Sequence, residues 1–150
     1  MNDNYPNPWN FNNTDKILLG FDNSIKIIYN DLVEIAMGAP LGGKCFLETD
    51  NGKKYKIYDC CGGPAVWEPS GHLLAIPIWA RKFFSGTIQQ IAVVNINLKN
   101  ITIFKKKFRV LNFRTFHKNI IYGYDSPIFD TTTIEFDIRT EKIDKILKLI

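Results

Sequence analysis

At 150 residues the chain has the usual length of one domain, and a hydrophobic fraction of 45%, with 11 Phe, 6 Tyr and 3 Trp, excludes a disordered protein. The net charge of +4, from 19 basic and 15 acidic residues, is too small to identify a nucleic-acid binder. No stretch approaches the roughly 20 apolar residues of a membrane span, and the N-terminus lacks the pattern of a secretory signal, so we expect a cytoplasmic protein.

The first 15 residues are rich in Asn and contain Pro6 and Pro8. They predict an extended arm that Trp9 and Phe11 hold against the body, followed by a single β domain over 16–150. Short runs of β-branched and aromatic residues, separated by turn signals, are typical of antiparallel strands. The predicted strands span 17–21, 25–29, 32–37, 44–49, 54–59, 65–67, 72–79, 87–96, 101–104, 108–116, 120–124, 132–138 and 143–149.

Of these predictions, one has a strong local sequence signal and another has signals for both a helix and a strand. Asn51-Gly52 between two alternating runs is the strongest short-range sign of a hairpin. The last run also has helical spacing at Ile143, Ile146 and Leu147, but we predict a strand there because of a repeat.

The repeat joins two segments that share one layout, 94–103 and 136–145, at a spacing of 42 residues. In each, a strand ends in Asn or Asp plus an apolar residue, and a polar turn leads into a strand that opens with Ile. Residues 46–57 have the same form less closely. A period of about 40–45 residues is that of a four-stranded β-propeller blade.

The segment 64–75 adds to this, because Trp67, Pro69, Gly71, Leu74 and Ala75 match a pattern common at the start of propeller blades. The segment resembles the blades of TolB-like and tryptophan–aspartate repeat propellers, although Glu68 and Ser70 replace the usual Ser and Asp. The resemblance implies an all-β, antiparallel fold of about three four-stranded blades. Three blades do not close a ring, so a partial propeller or a β-sandwich stays open, as does pairing of two copies through exposed sheet edges.

Residues with catalytic potential are few and isolated in the sequence. His72 and His117 lie at predicted turns, and no phosphate-binding glycine loop or Gly-x-Ser-x-Gly motif occurs. Cys45, Cys60 and Cys61 do not have zinc-site spacing, and we interpret them as reduced residues of the core or of half-buried positions. We therefore expect no enzymatic activity, no metal and no cofactor.

Two predicted loops, at corresponding places in successive repeat units, combine aromatic and charged residues and would lie on one face of the molecule. Such residues are enriched at the energetic centres of protein interfaces. The predicted partner-binding residues are Trp79, Arg81, Lys82, Phe83 and Phe84 in the first loop, and Tyr122, Tyr124, Asp125 and Phe129 in the second.

These features favour a protein-binding domain. A small β domain without catalytic motifs, with an Asn, Ile and Lys bias suited to an AT-rich bacterial genome, resembles immunity proteins, which bind and neutralise the toxin domain of a rival cell. The alternative is a nucleic-acid or carbohydrate binder that uses exposed aromatic residues among Lys and Arg. The run 108–116, which is apolar on both faces, indicates a buried strand and argues against nucleic acid.

Overall fold

The computed structural model describes residues 6–13, 18, 20, 24–36, 38–82, 86–128 and 130–149, and of Arg81, Lys82, Gly86 and Thr87 the backbone alone. These residues form eleven strands and no α-helix. The strands are β1 (Ile25–Glu34), β2 (Leu41–Thr49), β3 (Lys54–Cys61), β4 (Val66–Trp67), β5 (Leu73–Lys82), β6 (Gly86–Asn95), β7 (Asn100–Phe108), β8 (Leu111–His117), β9 (Ile120–Asp125), β10 (Thr132–Asp137) and β11 (Ile143–Lys148).

The strands form two antiparallel sheets. The large sheet has the order β1-β2-β3-β5-β6-β7-β11, with β4 paired to β5, and the small sheet has the order β10-β9-β8. The predicted hairpin between β2 and β3 is confirmed: Gly52 has a positive φ of 82°, and the amide of Thr49 donates to the carbonyl of Lys53.

The described side chains of β5 and β6 and those of the first half of β7 are largely buried on both faces and are mostly apolar, whereas the three lysines 105–107 of β7 are exposed. On one face, Leu74, Ile76 and Ile78 of β5 pack in a core with β1, β2 and β3. On the opposite face, Ala75 of β5 and Ile91 of β6 pack in a second core with the small sheet. The central strands are therefore the middle layer of a sandwich.

The N-terminal segment contributes to the first core. Phe11 is buried, and its ring meets that of Tyr29 edge to face with centroids 4.9 Å apart. The side chain of Asn13 accepts the amide of Tyr29 at 2.7 Å and donates to its carbonyl at 2.9 Å. This side chain thus occupies backbone groups on the edge of β1 that faces away from β2.

The all-β, antiparallel expectation is confirmed, and the β-sandwich alternative fits. The described strands form sheets of eight and three strands instead of three sheets of four, and no closed ring is seen among them. The two repeat segments also differ in structure. The segment 94–103 is the β6–β7 hairpin, whereas 136–145 crosses from the small sheet to the large one, because β11 pairs with β7 and not with β10.

The strand prediction for 143–149 is confirmed, since β11 covers Ile143–Lys148. The separate strand expected at 32–37 is wrong in its boundary: β1 continues through a bulge near Asp31, which has a positive φ of 58°, as far as Glu34. Among the described residues there is no helix long and apolar enough to span a membrane.

Candidate functional site

The first predicted loop begins inside the core. Trp79 is only 7% exposed, and its indole N–H donates to the carbonyl of Leu41 at 3.1 Å. This tryptophan therefore joins β5 to β2 and has no surface to offer a partner. Arg81 and Lys82 lie at the end of β5, and Phe83 and Phe84 lie outside the described residues.

Tyr122 and Tyr124, from the second predicted loop, lie instead within β9. Successive side chains of a strand point to opposite faces, so Ile121 and Gly123 face the core while the two tyrosines face outward. Each tyrosine is 37% exposed. The small sheet therefore has one packed face and one open face that carries two aromatic rings.

The close approach of β8 and β9 depends on Gly123. A Cβ at this position would lie 2.3 Å from the backbone oxygen of Asn112, so no side chain larger than hydrogen fits without moving β8. Beside it the register slips between Phe113 and Thr115, which makes Arg114 the extra residue of a bulge. The guanidinium of Arg114 lies over the ring of Tyr124, 6.0 Å from its centroid.

The neighbours of the tyrosines are polar. Tyr122 is opposite Thr115 on one side and Glu135 on the other, and Tyr124 is opposite Thr133. We call this surface the tyrosine face. It consists of Arg114, Thr115, Tyr122, Tyr124, Thr133 and Glu135. Its combination of rigid aromatic rings, a cation held against one ring and hydroxyl groups around them suits a protein interface.

Asp125, also a predicted binding residue, has a structural role. Its carboxylate accepts the backbone amides of Arg109 and Val110, both at 3.0 Å, and so closes the connection between β7 and β8. Ile128, in the loop that follows, is 72% exposed, and Phe129 lies outside the described residues. Of the four predicted residues whose side chains the structure describes, Trp79, Tyr122, Tyr124 and Asp125, the two tyrosines form an exposed pair.

The two predicted loops nevertheless begin at the same end of the molecule. Phe108, at the end of β7, is opposite Gln89 of β6, and the side chain of Gln89 accepts the amide of Leu111 at the start of β8. Asp125 holds the same β7–β8 connection from the small sheet. Gln89 of β6 and Asp125 at the end of β9 therefore both hold the connection between β7 and β8.

No cluster of three or more potential metal ligands occurs in the described part of the chain. Cys45 and Cys61 are buried, as the sequence predicts for core thiols. Burial raises the pKa of Cys61 well above its ordinary value, and the neighbouring Cys45 raises it further. Its thiol is therefore protonated at neutral pH, which is the state of a structural cysteine and not of a nucleophile.

Arg114, Thr115, Thr133 and Glu135 are not among the predicted site residues. Burial alternates along β9, but its sequence Ile-Ile-Tyr-Gly-Tyr does not alternate in polarity, and the bulge that brings Arg114 over Tyr124 leaves no local sequence signal. The partners across the strands follow only from the pairing of β9 with both β8 and β10.

In comparisons with protein-family models, curated proteins and solved structures, nothing matches the chain.

Proposed function

We propose that this chain is a protein-binding domain whose tyrosine face contacts the partner. The observation that carries the proposal is the pair Tyr122 and Tyr124, each 37% exposed on the open face of a sheet whose other face is packed. Side chains fixed on a strand lose little further conformational freedom when they bind, and tyrosines are among the residues most enriched in binding hot spots.

The biological setting that we propose is that of an immunity protein, with a toxin domain as partner. The small size, the all-β architecture and the compositional bias toward Asn, Ile and Lys support this interpretation. A net charge of +4 complements an acidic surface, so we expect the toxin domain to present acidic residues around an apolar centre.

Nucleic-acid binding is less well supported, because the aromatic side chains that suggested it are buried. Phe104, Phe108 and Phe113 all belong to the core between the two sheets and have no exposed ring for a base to stack on. Among the described residues, Arg114 with Tyr124, and Lys53 and Lys99 with Tyr55, still combine a cation with an aromatic ring outside the core between the sheets.

The direct test uses Tyr122→Ala combined with Tyr124→Ala. The immunity setting predicts a neighbouring gene for a secreted protein with a C-terminal toxin domain, and binding is measured by calorimetry against that domain. We expect the double variant to bind at least about thirtyfold more weakly, since loss of one hot-spot residue costs about 2 kcal/mol or more. Tyr55→Ala is the matched control, because Tyr55 is a tyrosine of β3 in the other sheet.

Two results would contradict the proposal. If the double variant binds that domain as tightly as the Tyr55→Ala control, the tyrosine face is not the contact surface. If the unaltered chain forms no complex with the domain but binds single-stranded RNA with an affinity that falls steeply with salt, the partner is a nucleic acid and not a toxin.

A further inference from the structure

The large sheet ends in a strand whose outer edge is open. β11 pairs with β7 on one side, and no other described strand pairs with it. The amide of Leu149 donates to the carbonyl of Lys99, which shows that Leu149, and by alternation Leu147, direct their backbone groups toward β7. The backbone N–H and C=O groups of Ile146 and Lys148 therefore point outward.

This edge also carries apolar side chains that the core does not use. Ile143 is 46% exposed, Ile146 is 56% exposed and Leu147 is 39% exposed, whereas Leu149 is 9% exposed and belongs to the first core. Ile143 and Ile146 lie on one face, because a bulge between Ile143 and Lys145 brings them opposite Phe104 and Thr102 of β7. Apolar groups thus flank the open edge on both faces.

The charge around β11 is predominantly positive. A cleft of about 430 Å³ lies where the strand begins, and it is lined by Lys105, Lys106, Thr140, Glu141 and Lys142. Farther along, Lys145 and Lys148 are exposed on the strand itself. Glu141 and Asp144 offset part of this charge, but five lysines remain against two carboxylates. Two copies of this edge would each bring a net positive charge, whereas an acidic segment would meet an excess of opposite charge.

The opposite end of the same sheet is different. There the side chain of Asn13 occupies the N–H and C=O of Tyr29, and the amide of Gly20 donates to the carbonyl of Ile25 at 2.6 Å. The outer edge of β1 is therefore partly occupied by this chain's own residues, and the open edge of the sheet is β11.

From these observations we infer that β11 is a second docking site, which receives an extended segment of a partner protein that presents both acidic and apolar side chains on each of its two faces. The segment adds a strand to the large sheet through the outward backbone groups of Ile146 and Lys148. Its apolar side chains pack on Ile143, Ile146 and Leu147, and its carboxylates reach Lys145, Lys148 and the lysines of the cleft. This inference does not depend on the tyrosine face, which lies on the small sheet.

The test uses a synthetic peptide of about ten residues in which pairs of Glu alternate with pairs of Val, so that each face of the extended peptide carries both, titrated into the full chain labelled with ¹⁵N. We expect saturable shifts centred on the amides of Ile146 and Lys148, and slower hydrogen exchange at both. The variant Lys145→Glu with Lys148→Glu should bind about tenfold more weakly, because two attractive charges become repulsive. A variant with Lys44→Glu and Lys118→Glu, which makes the same charge change elsewhere on the surface, should bind as the unaltered chain does.

Other outcomes would overturn the inference. Shifts that map to the tyrosine face, or equal weakening by both double variants, would mean that the peptide binds by general charge and not at β11. Sedimentation of the chain as a dimer that Ile146→Lys converts to a monomer would assign the edge to a second copy of this chain. The variant Tyr122→Ala with Tyr124→Ala should leave peptide binding unchanged, which separates this inference from the proposed function.

Discussion

Gly123 illustrates how one residue sets the geometry of the candidate site. Its missing side chain lets the backbones of β8 and β9 approach, since a Cβ there would lie 2.3 Å from the oxygen of Asn112 and 2.9 Å from the Cα of Phe113. Tyr122 and Tyr124, the residues on either side of Gly123, therefore lie on a strand that can approach β8 this closely only with glycine at position 123.

Replacement of Gly123 by Ala should lower the free energy of unfolding by about 2–3 kcal/mol, because backbone atoms and not a flexible side chain would have to move. Urea unfolding followed by circular dichroism measures the change. Gly52→Ala is the control: its φ is positive, but no atom lies within 4 Å of the added Cβ, so it should cost only about 1 kcal/mol. Equal losses in the two variants would disprove the close-approach argument.

Cys61 gives a prediction for alkaline pH. Burial raises the pKa of its thiol in the folded chain above the ordinary value of 9.0. Below that pH the thiol is protonated in both states and its contribution to stability is fully present. Above that pH the unfolded chain releases the proton and the folded chain retains it, so the free energy of unfolding falls as the pH rises.

Urea unfolding between pH 8 and about pH 10.5 measures this effect. The decline should be shallower in Cys61→Ala, which lacks the buried thiol. Cys60→Ala, at a half-buried position, should retain the full decline. If the slopes of all three proteins coincide, the thiol of Cys61 does not contribute to the pH dependence.

At the scale of the strands, the sequence predicts the elements better than their partners. Asn51-Gly52 predicts its hairpin correctly because the turn is local, and the turn residues around 95–100 and 117–119 likewise mark the ends of β6 and β8. The pairing of β11 with β7 joins segments about 40 residues apart. Periodicity tells which side of a strand is apolar but not which strand lies beside it, and so the sheet order could not be predicted.

The candidate site shows the same difference between features that are local in the sequence and features that depend on which strands pair. Tyr122 and Tyr124 are predicted binding residues because they belong to an aromatic-rich segment, but their place on a strand with a packed opposite face follows from the pairing of β9. Trp79 was placed in an exposed loop because it is near the loop residues Phe83 and Phe84. It is buried because β5 is covered on both faces, which is a property of the assembled layers. Arg114 could not be predicted because the bulge that positions it depends on the pairing of β8 with β9.

At the scale of the whole molecule, the aromatic packing between the two sheets determines whether the small sheet stays in place. Phe136 of β10 meets Phe104 and Phe108 of β7 edge to face, with ring centroids 5.1 and 6.2 Å apart. These contacts hold the small sheet, and with it the tyrosine face, against the middle layer. The display of the candidate site is therefore coupled to the stability of this core.

Phe136→Ala should cost about 3–5 kcal/mol, because it empties a fully buried aromatic position between the sheets. Tyr124→Ala, on the open face of the same sheet, should cost less than about 1 kcal/mol. Urea denaturation of both variants measures the contrast. A mild effect of Phe136→Ala would show that the small sheet is held by other contacts.

The two outer edges of the large sheet differ in their ability to accept a further strand. Asn13 occupies backbone groups on the outer edge of β1, while the edge of β11 stays open. Because backbone groups of Tyr29 and Ile25 on the β1 edge are already occupied, we expect strand addition at β11 alone, and a sheet that extends at one edge does not polymerise. Any complex formed by strand addition should therefore stop at a stoichiometry of one partner segment per chain, and neither filaments nor chains of domains should form.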